Sequence, residues 1–222
     1  MTTRHCRDRE ASLRRLLRDV RSGQVVFLSH CLLNQNTRYP GGAICPGVVV
    51  DAIKPYMEAG VGIVQMPCPE QQLWGGVLKR RFLALLGRPY LARAARLLLG
   101  PGRRYLQLRY RFLARAVARH LEDYLRSGYE VVGVVGVAGS PSCGAKTTLD
   151  LSASLRALGS CPGVVPTREW ITREVVDGAI RTGRGLFIEA LTDQLTRRGC
   201  AVATTEYTLP SPGTALAGEV LR

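Results

Sequence analysis

Residues 130–143, which read EVVGVVGVAGSPSC, decide the fold that we predict for this chain. Residues 130–138 are almost wholly apolar or glycine, which is typical of a strand buried on both faces of a parallel sheet. The loop of small residues that follows carries Cys143. Because ligands bind at the carboxyl edge of parallel α/β sheets, this stretch predicts a central strand that delivers a cysteine to a candidate site.

Two other apolar runs end in the same way. Residues 24–29, QVVFLS, lead to Cys31, and residues 61–66, VGIVQM, lead to Cys68. We therefore expect three thiols from distant parts of the sequence to meet at one sheet edge. Position alone leaves open an iron–sulfur cluster, a zinc site or plain buried cysteines. His30 adjoins Cys31, but the chain lacks closely spaced ligand pairs such as CxxC, which disfavours zinc.

Helical patterns alternate with strand patterns along the rest of the chain. Helices are predicted at 9–22, 48–59, 77–99, 103–127, 152–158, 171–182 and 192–199, and further strands at 185–190 and 200–205. This alternation predicts an α/β protein, a three-layer Rossmann-like fold with a mostly parallel sheet. We expect a basic N-terminal helix within residues 1–23 and a single α/β domain over 24–222, with a basic helical segment at 77–127.

The charge of the chain is strongly positive and uneven. The formal net charge is +14 over 222 residues, and residues 79–126 alone hold thirteen Lys and Arg against two acids. Such a field attracts phosphates, nucleic acid or anionic membrane surfaces. Tyrosines within this segment add possible stacking surfaces for bases; they are Tyr90, Tyr105, Tyr110 and Tyr124. A nucleic-acid-binding protein is therefore one hypothesis, and a general preference for arginine is the alternative.

The compartment follows from the apolar and cysteine content. No apolar run approaches the ~20 residues that span a bilayer, and the charged N-terminus lacks the apolar core of a signal peptide. We predict a cytoplasmic protein without a membrane span. Seven cysteines in that compartment favour metal ligation or reactive thiols over disulfides. A redox enzyme that uses bare thiols stays open, and Cys45 in AICPGV is a further candidate ligand.

Groups suited to chemistry accompany the three cysteines. Glu70 lies two residues after Cys68 in MPCPE, and a carboxylate beside a metal-bound substrate is a natural general acid or base. The GSPSCGAK loop adds the hydroxyl of Ser140. Other side chains that we expect to bind a substrate are Asn34, Arg38, Ser142 and Lys146. Arginine binds carboxylate or phosphate through its forked guanidinium, and lysine supplies a mobile cation.

Together, SHCLLNQNTRYPGG, CPE and GSPSCG resemble the signature segments of the thiouracil desulfidase (TudS) family. The resemblance covers about residues 25–205 and rests on three separated motifs in the same order. It implies that Cys31, Cys68 and Cys143 hold a [4Fe-4S] cluster whose fourth iron is free, with Glu70 and Ser140 as catalytic residues. It also implies an iron–sulfur-dependent desulfidase that hydrolyses the C=S bond of a thiolated pyrimidine base, nucleoside or nucleotide and releases sulfide.

The first motif departs from the commoner family pattern, SACLxGxxxRYDG. His30 stands in place of the alanine, Asn34 in place of the glycine, and Pro40 in place of the aspartate. A carboxylate usually found near the first cysteine is therefore missing, which leaves the identity of the substrate open. The basic segment at 79–126 makes thiolated tRNA an alternative to a free pyrimidine.

Overall fold

The computed structural model describes residues 12–86, 88–161 and 167–210. Its strands are β1 (Gln24–Leu28), β2 (Gly62–Gln65), β3 (Glu130–Val137), β4 (Thr147–Leu149), β5 (Ile180–Thr182) and β6 (Thr204–Tyr207). Within these residues β1, β2, β3 and β6 form an all-parallel sheet in the order β2-β1-β3-β6. Strands β4 and β5 pair in antiparallel fashion as a separate ribbon. The predicted α/β class with a mostly parallel sheet is therefore confirmed.

The α-helices surround this sheet. They are α1 (His30–Leu33), α2 (Val50–Glu58), α3 (Pro69–Leu73), α4 (Arg80–Leu83), α5 (Pro89–Leu97), α6 (Leu99–Arg126), α7 (Leu151–Gly159), α8 (Arg168–Trp170) and α9 (Leu186–Arg197). Helix α8 continues as a π-helix over Ile171–Val176. Residues 12–16 are also helical, and residues 1–11, which include the start of the helix predicted at 9–22, lie outside the described part of the chain. No helix in the described ranges combines the length and apolar character needed to cross a bilayer.

Side chains on the two faces of β1 belong to different cores, since successive strand residues point to opposite sides. Val25 and Phe27 pack in a cluster with residues of α6 and α9. Val26 and Leu28 pack in a second cluster with residues that include Ala52 of α2. Helices therefore cover both faces of the sheet, an arrangement compatible with the predicted three layers.

The predicted strand at 185–190 is wrong. Residues 186–197 form one continuous helix, α9, which also absorbs the separate helix predicted at 192–199. Phe187, Ile188, Leu191 and Leu195 are all buried against the sheet. Their spacing of one, three and four residues places them on one helical face. The short apolar run GLFIEA resembles a strand only when it is considered without the residues that follow.

The predicted break at Gly100-Pro101-Gly102 is also wrong, because these residues lie in the first turn of α6. A backbone N–H in the first turn has no partner within its helix, so Pro101 costs no hydrogen bond there. The Gly102 N–H makes the first hydrogen bond of the helix, to the Leu98 carbonyl at 3.0 Å. The basic segment at 77–127 consequently comprises the short helices α4 and α5 and the long helix α6.

Strand order brings the cysteine loops together. Strand β1 lies between β2 and β3, and Leu28 at its carboxyl end pairs with Gln65 of β2 and Val135 of β3. The chain leaves β1 toward β2 on one side and returns to β3 on the other. The carboxyl edge at such a reversal of strand order is where open α/β sheets bind ligands.

Candidate functional site

The three thiols predicted to converge follow three neighbouring strands of the sheet. Cys31 lies in α1 directly after β1, Cys68 is the N-cap of α3 after β2, and Cys143 lies in the loop between β3 and β4. The Cys68 Sγ accepts a hydrogen bond from the Gln71 N–H at 3.4 Å, which aligns the start of α3. All three cysteines are free of disulfides.

The thiols are close enough to interact electrostatically. Burial is the main cause that raises the pKa of each, to about 11 for Cys68. Negative charge on Cys31 and Cys68 raises the pKa of Cys143 further, and Cys31 also raises that of Cys68. Three mutually repelling thiolates in a buried place are unfavourable unless a cation or a metal centre shares the space.

The chemistry of the donors fits a cluster. Among the residues that the structure describes, no group of three or more His, Cys, Asp or Glu is placed to hold a metal ion. Each thiolate of an iron–sulfur cluster binds its own iron, so cluster ligands stand farther apart than the four ligands of a structural zinc. Thiolates are soft donors of the type that iron–sulfur clusters bind.

Two further groups bear on the donor set. The Ser29 hydroxyl is buried at the end of β1 and favours the thiolate of Cys143; apart from that thiol it has no partner among the described residues. Cys45 donates its S–H to the Val48 carbonyl at 3.3 Å and packs against the α2 face of the sheet. The structure thus places Cys45 in a local contact of its own loop.

Glu70 connects the second cysteine loop to the third. It lies in the first turn of α3, and its Oε1 accepts hydrogen bonds from the hydroxyls of Ser142 at 2.8 Å and Ser140 at 3.4 Å. Its Oε2 accepts from the Lys79 Nζ at 2.5 Å. Both predicted catalytic residues are therefore in one hydrogen-bonded cluster, and Ser142 is the nearer serine.

The Glu70–Lys79 pair is ionised and shielded from water. The side chains of Lys79 and Glu70 are only 5% and 15% exposed. Burial alone would raise the pKa of Glu70, but the Lys79 charge and hydroxyl donors such as Ser142 outweigh it and leave the pKa below its usual range. Burial would likewise lower the pKa of Lys79, and Glu70 reverses that direction. A carboxylate is therefore held in place beside the thiols.

Lys79 is a site residue that the sequence analysis did not identify. Its backbone has φ 50°, and it follows Gly75 and Gly76, both with positive φ, in a turn that folds α4 back toward Glu70. The only local signal is the Gly-Gly pair, which permits such a turn. The predicted cation, Lys146, is exposed, and its backbone N–H donates to Glu206 at 2.7 Å.

The Cys143 loop is held by hydrogen bonds at both ends. Ser140 Oγ accepts from the N–H groups of Cys143 at 3.0 Å and Ser142 at 3.3 Å. Beyond the cysteine, the Glu206 Oε2 accepts from three successive backbone N–H groups, those of residues 145–147, at 2.7 to 3.0 Å. The loop therefore has a defined geometry in which Ser140 is also a structural acceptor.

Close backbone contacts explain two glycines around this loop. A Cβ added at Gly136 would lie 2.0 Å from the Cys143 carbonyl oxygen, and one at Gly185 would lie 2.5 Å from the Ser142 carbonyl carbon. Neither approach is possible for a side chain, and the atoms in the way are backbone. Strand β3 and the start of α9 thus pack directly on the cysteine loop.

The first cysteine loop contributes a positive charge. Arg38 favours the charged forms of Cys31 and Glu70, and its Nε donates to the Gly42 carbonyl at 3.0 Å. Asn34, also predicted to bind substrate, instead caps the following turn, since its side chain accepts from the Asn36 N–H at 3.0 Å. The structure brings Arg38 to the site and leaves Asn34 within its own loop.

Two cavities open at this edge of the sheet. One, of about 290 Å³, is bordered by Arg38, Glu70, Lys79 and Ser140 together with many apolar side chains. The other, of about 700 Å³, is lined by groups that include Arg168. Both are bordered by Arg38 and Tyr39. Glu70 therefore borders a cavity large enough for a small molecule.

Comparisons with known proteins give the chain no established relative. No family model, no curated protein and no solved structure matches it. The likeness to the TudS family rests on the three quoted motifs.

Proposed function

We propose that this protein is an iron–sulfur-dependent desulfidase with a Rossmann-like fold. Its substrate is a thiolated pyrimidine base, nucleoside or nucleotide, and its product is sulfide. The observation that carries the proposal is the convergence of Cys31, Cys68 and Cys143 at one sheet edge, with the Glu70 carboxylate bound to a serine of the Cys143 loop. The motifs shared with the TudS family support the same assignment.

The three cysteines would hold a [4Fe-4S] cluster through one thiolate each. When bound, such a cluster supplies an iron with a free position, a soft Lewis acid suited to a thiocarbonyl sulfur. Unpaired thiols of this kind persist in reducing surroundings, so the proposal includes a cytoplasmic location.

The side chains of the protein then have distinct roles in the hydrolysis, C=S + H₂O → C=O + H₂S. Glu70 accepts a proton from the attacking water at Oε1 and returns it to the departing sulfur or the ring nitrogen. Ser142 holds Oε1 at 2.8 Å, and Lys79 keeps the carboxylate charged through Oε2. Ser140 borders the cavity and orients the ring or the water there.

Anaerobic reconstitution tests the proposal. The protein is purified without oxygen, loaded with iron and sulfide, desalted and assayed for sulfide release from thiouracil, thiouridine, thio-UMP and thiolated tRNA. Alanine at Cys31, Cys68 or Cys143 should abolish both visible absorbance and sulfide release, whereas the matched controls Cys45→Ala and Cys200→Ala should keep both. If all three ligand variants keep the absorbance, the cluster assignment is wrong, and a colourless active protein would instead indicate bare-thiol chemistry.

Glu70→Gln separates chemistry from cluster binding. The amide keeps the size of the side chain but cannot accept a proton, so we expect sulfide release to fall by about 10²- to 10⁴-fold while the visible spectrum stays. Steady-state rates on the loaded protein, normalised to iron content, measure this. An unchanged rate would remove Glu70 from the mechanism.

Nucleic-acid binding is a second candidate, favoured by the exposed face of α6. Its exposed cations include Arg103, Arg104, Arg109, Arg111, Arg115 and Arg119. Tyr105 and Phe112 are exposed on the same helix, where bases can stack. Arg103 also borders the smaller cavity, which connects this surface to Glu70. A desulfidase acting on thiolated tRNA would use both features.

A further inference from the structure

The smaller cavity is far more apolar than a bare thiopyrimidine requires. Away from Glu70 its walls come from α4, α6, α7, the π-helix and the β4–β5 ribbon. Representative wall residues are Phe82, Leu85, Leu106, Leu155, Leu158 and Val175. Two polar residues also line these walls. The Ser154 hydroxyl donates to the Val175 carbonyl at 2.8 Å, and Arg103 is exposed.

The cavity lies between two hydrophobic clusters. Leu106 and Trp74 pack against the cluster on the sheet. Phe82 and Leu155 pack against a separate cluster around Leu158 and Val175. Concave, mostly apolar sites with a few polar groups are where small ligands bind in proteins. The largely apolar space of about 290 Å³ between the clusters is a site of that kind.

Size and polarity define that ligand. An apolar cavity of about 150 Å³ is enough to take up benzene, and this one has nearly twice that volume at about 290 Å³. Four of its polar residues define one end, because Glu70 is hydrogen-bonded to Lys79 and Ser140 and the Arg38 charge acts on the same carboxylate. A matching molecule has a polar ring at that end and an apolar substituent that extends between Leu106 and Leu155.

We infer that the substrates are cyclic thiocarbonyl compounds that carry an apolar substituent, and that this cavity binds the substituent. The identity of the reacting ring rests on the proposed function, whereas binding of the substituent can be measured without turnover. Leu98 and Arg103 border the cavity and are exposed, so the substituent enters beside the start of α6.

Calorimetric titration tests the binding. The anaerobically purified protein is titrated with 2-thiouracil and with its methyl, ethyl and propyl derivatives at ring position 5 and, separately, at position 6. In at least one series the affinity should rise about fourfold per carbon, on the order of 50-fold for propyl, since each buried methylene contributes a constant free energy. Flat or falling affinity in both series overturns the inference.

Variants of Leu155 then locate the substituent. Leu155→Trp fills the cavity and should abolish the gain from propyl, whereas Leu155→Ala enlarges it and should shift the preference toward longer chains. The matched control is Leu97→Trp, because Leu97 is 85% exposed on α5 and does not border the cavity. Circular dichroism checks that each variant is folded. Equal chain-length dependence in Leu155→Ala and Leu97→Trp would place the substituent elsewhere and contradict the inference.

Sulfide release, measured in parallel, keeps the two proposals separate. If the propyl compounds bind as expected but neither these series nor thiouridine, thio-UMP and thiolated tRNA release sulfide, the desulfidase proposal fails and the apolar binding site stands. If 2-thiouracil is desulfurised and the propyl compounds bind no better, the desulfidase stands and the apolar site fails.

Discussion

The Glu70 carboxylate is shared by groups from different parts of the chain. One oxygen faces the serines of the loop after β3, and the other faces Lys79 in the turn before α4. Removal of one partner from a buried ion pair leaves an uncompensated charge, which costs more than the pair itself contributes. Lys79 is therefore expected to matter for stability as well as for the charge of Glu70.

Lys79→Met should lower the free energy of unfolding by about 3–5 kcal/mol, because Glu70 then remains charged and poorly solvated. The matched control is Lys54→Met, which removes the exposed Lys54–Glu58 pair and should cost less than about 1 kcal/mol. Urea denaturation measures both variants. Equal urea midpoints for the two variants would show that the Glu70 charge does not need Lys79 for the stability of the fold.

The pKa of Glu206 makes the stability of the folded state depend on pH. Burial alone would raise its pKa, but hydrogen bonds from Lys146, Thr147 and Ala145 outweigh burial and lower it. A carboxyl with a depressed pKa stabilises the folded state above its unfolded pKa of about 4.3 and loses that contribution as the pH falls through the folded value.

Glu206→Gln should therefore cost about 1 kcal/mol at pH 7, an amount moderated by partial solvent screening. The difference from wild type should shrink from roughly pH 5 to pH 3, where the wild-type carboxyl takes up its proton. Unfolding curves at each pH measure it, with Glu58→Gln on the exposed face of α2 as the control. A difference that grew on acidification would contradict this role.

At the level of elements, the junction of β3 with the Cys143 loop depends on the absence of side chains. Gly136→Ala would place a methyl group against the Cys143 carbonyl, so the strand or the loop must shift. We expect a loss of about 3 kcal/mol in stability and a larger proportional loss of cluster absorbance, because the Cys143 thiol moves with its backbone. Unfolding curves and the visible spectrum of the reconstituted variant measure the two effects.

Gly102→Ala in α6 is the matched control for that variant. Nothing lies within 4 Å of a Cβ added at Gly102, and alanine is favoured over glycine in helices by up to about 1 kcal/mol. We expect unchanged absorbance and equal or higher stability. Normal cluster loading in Gly136→Ala would mean that the loop tolerates the shift and that the close packing is not required.

The strands predicted at 24–29, 61–66 and 130–138 correspond to β1, β2 and β3, whereas the helix predicted at 77–99 divides into α4 and α5 and the helix predicted at 171–182 ends before β5. The apolar run that becomes β3 and the three- and four-residue spacing along α6 were both identified. The run GLFIEA at 185–190 predicts a strand because so short a run satisfies both patterns; packing against the sheet stabilises the helix α9 instead. Strands β4 and β5, of three residues each, carry too little pattern to be found.

At the scale of the whole molecule, the positive charge is concentrated on the exposed side of α6 and its neighbours. The tyrosines that were expected to stack on bases divide into two groups. Tyr90 and Tyr105 are exposed, whereas Tyr110 is 1% exposed and its hydroxyl accepts from the Trp74 Nε1 at 3.1 Å. Tyr124 packs edge-on against Phe27 in the core. Only the exposed pair stays available for stacking.

Neutralisation of this surface tests the nucleic-acid candidate. In the test variant, glutamine replaces Arg103, Arg104, Arg109 and Arg111. The slope of log K against log salt for tRNA binding should become shallower by about 3, since each lost phosphate contact removes about 0.7–0.9. A control replaces four exposed cations on other surfaces, Lys54, Arg156, Arg184 and Arg197. Filter binding from low to high salt measures the slopes. Salt-independent binding, or none, would favour a free small substrate.

The sequence by itself determined which residues end the strands and what chemistry they carry. Apolar periodicity is local, and parallel strands share one carboxyl edge, so Cys31, Cys68 and Cys143 could be placed together, with Glu70 beside them. Only the tertiary structure decided that Lys79 is the cation, that Ser142 is the nearer serine and that an apolar cavity adjoins them. These contacts depend on the paths of turns and on packing between distant segments, which no local pattern records.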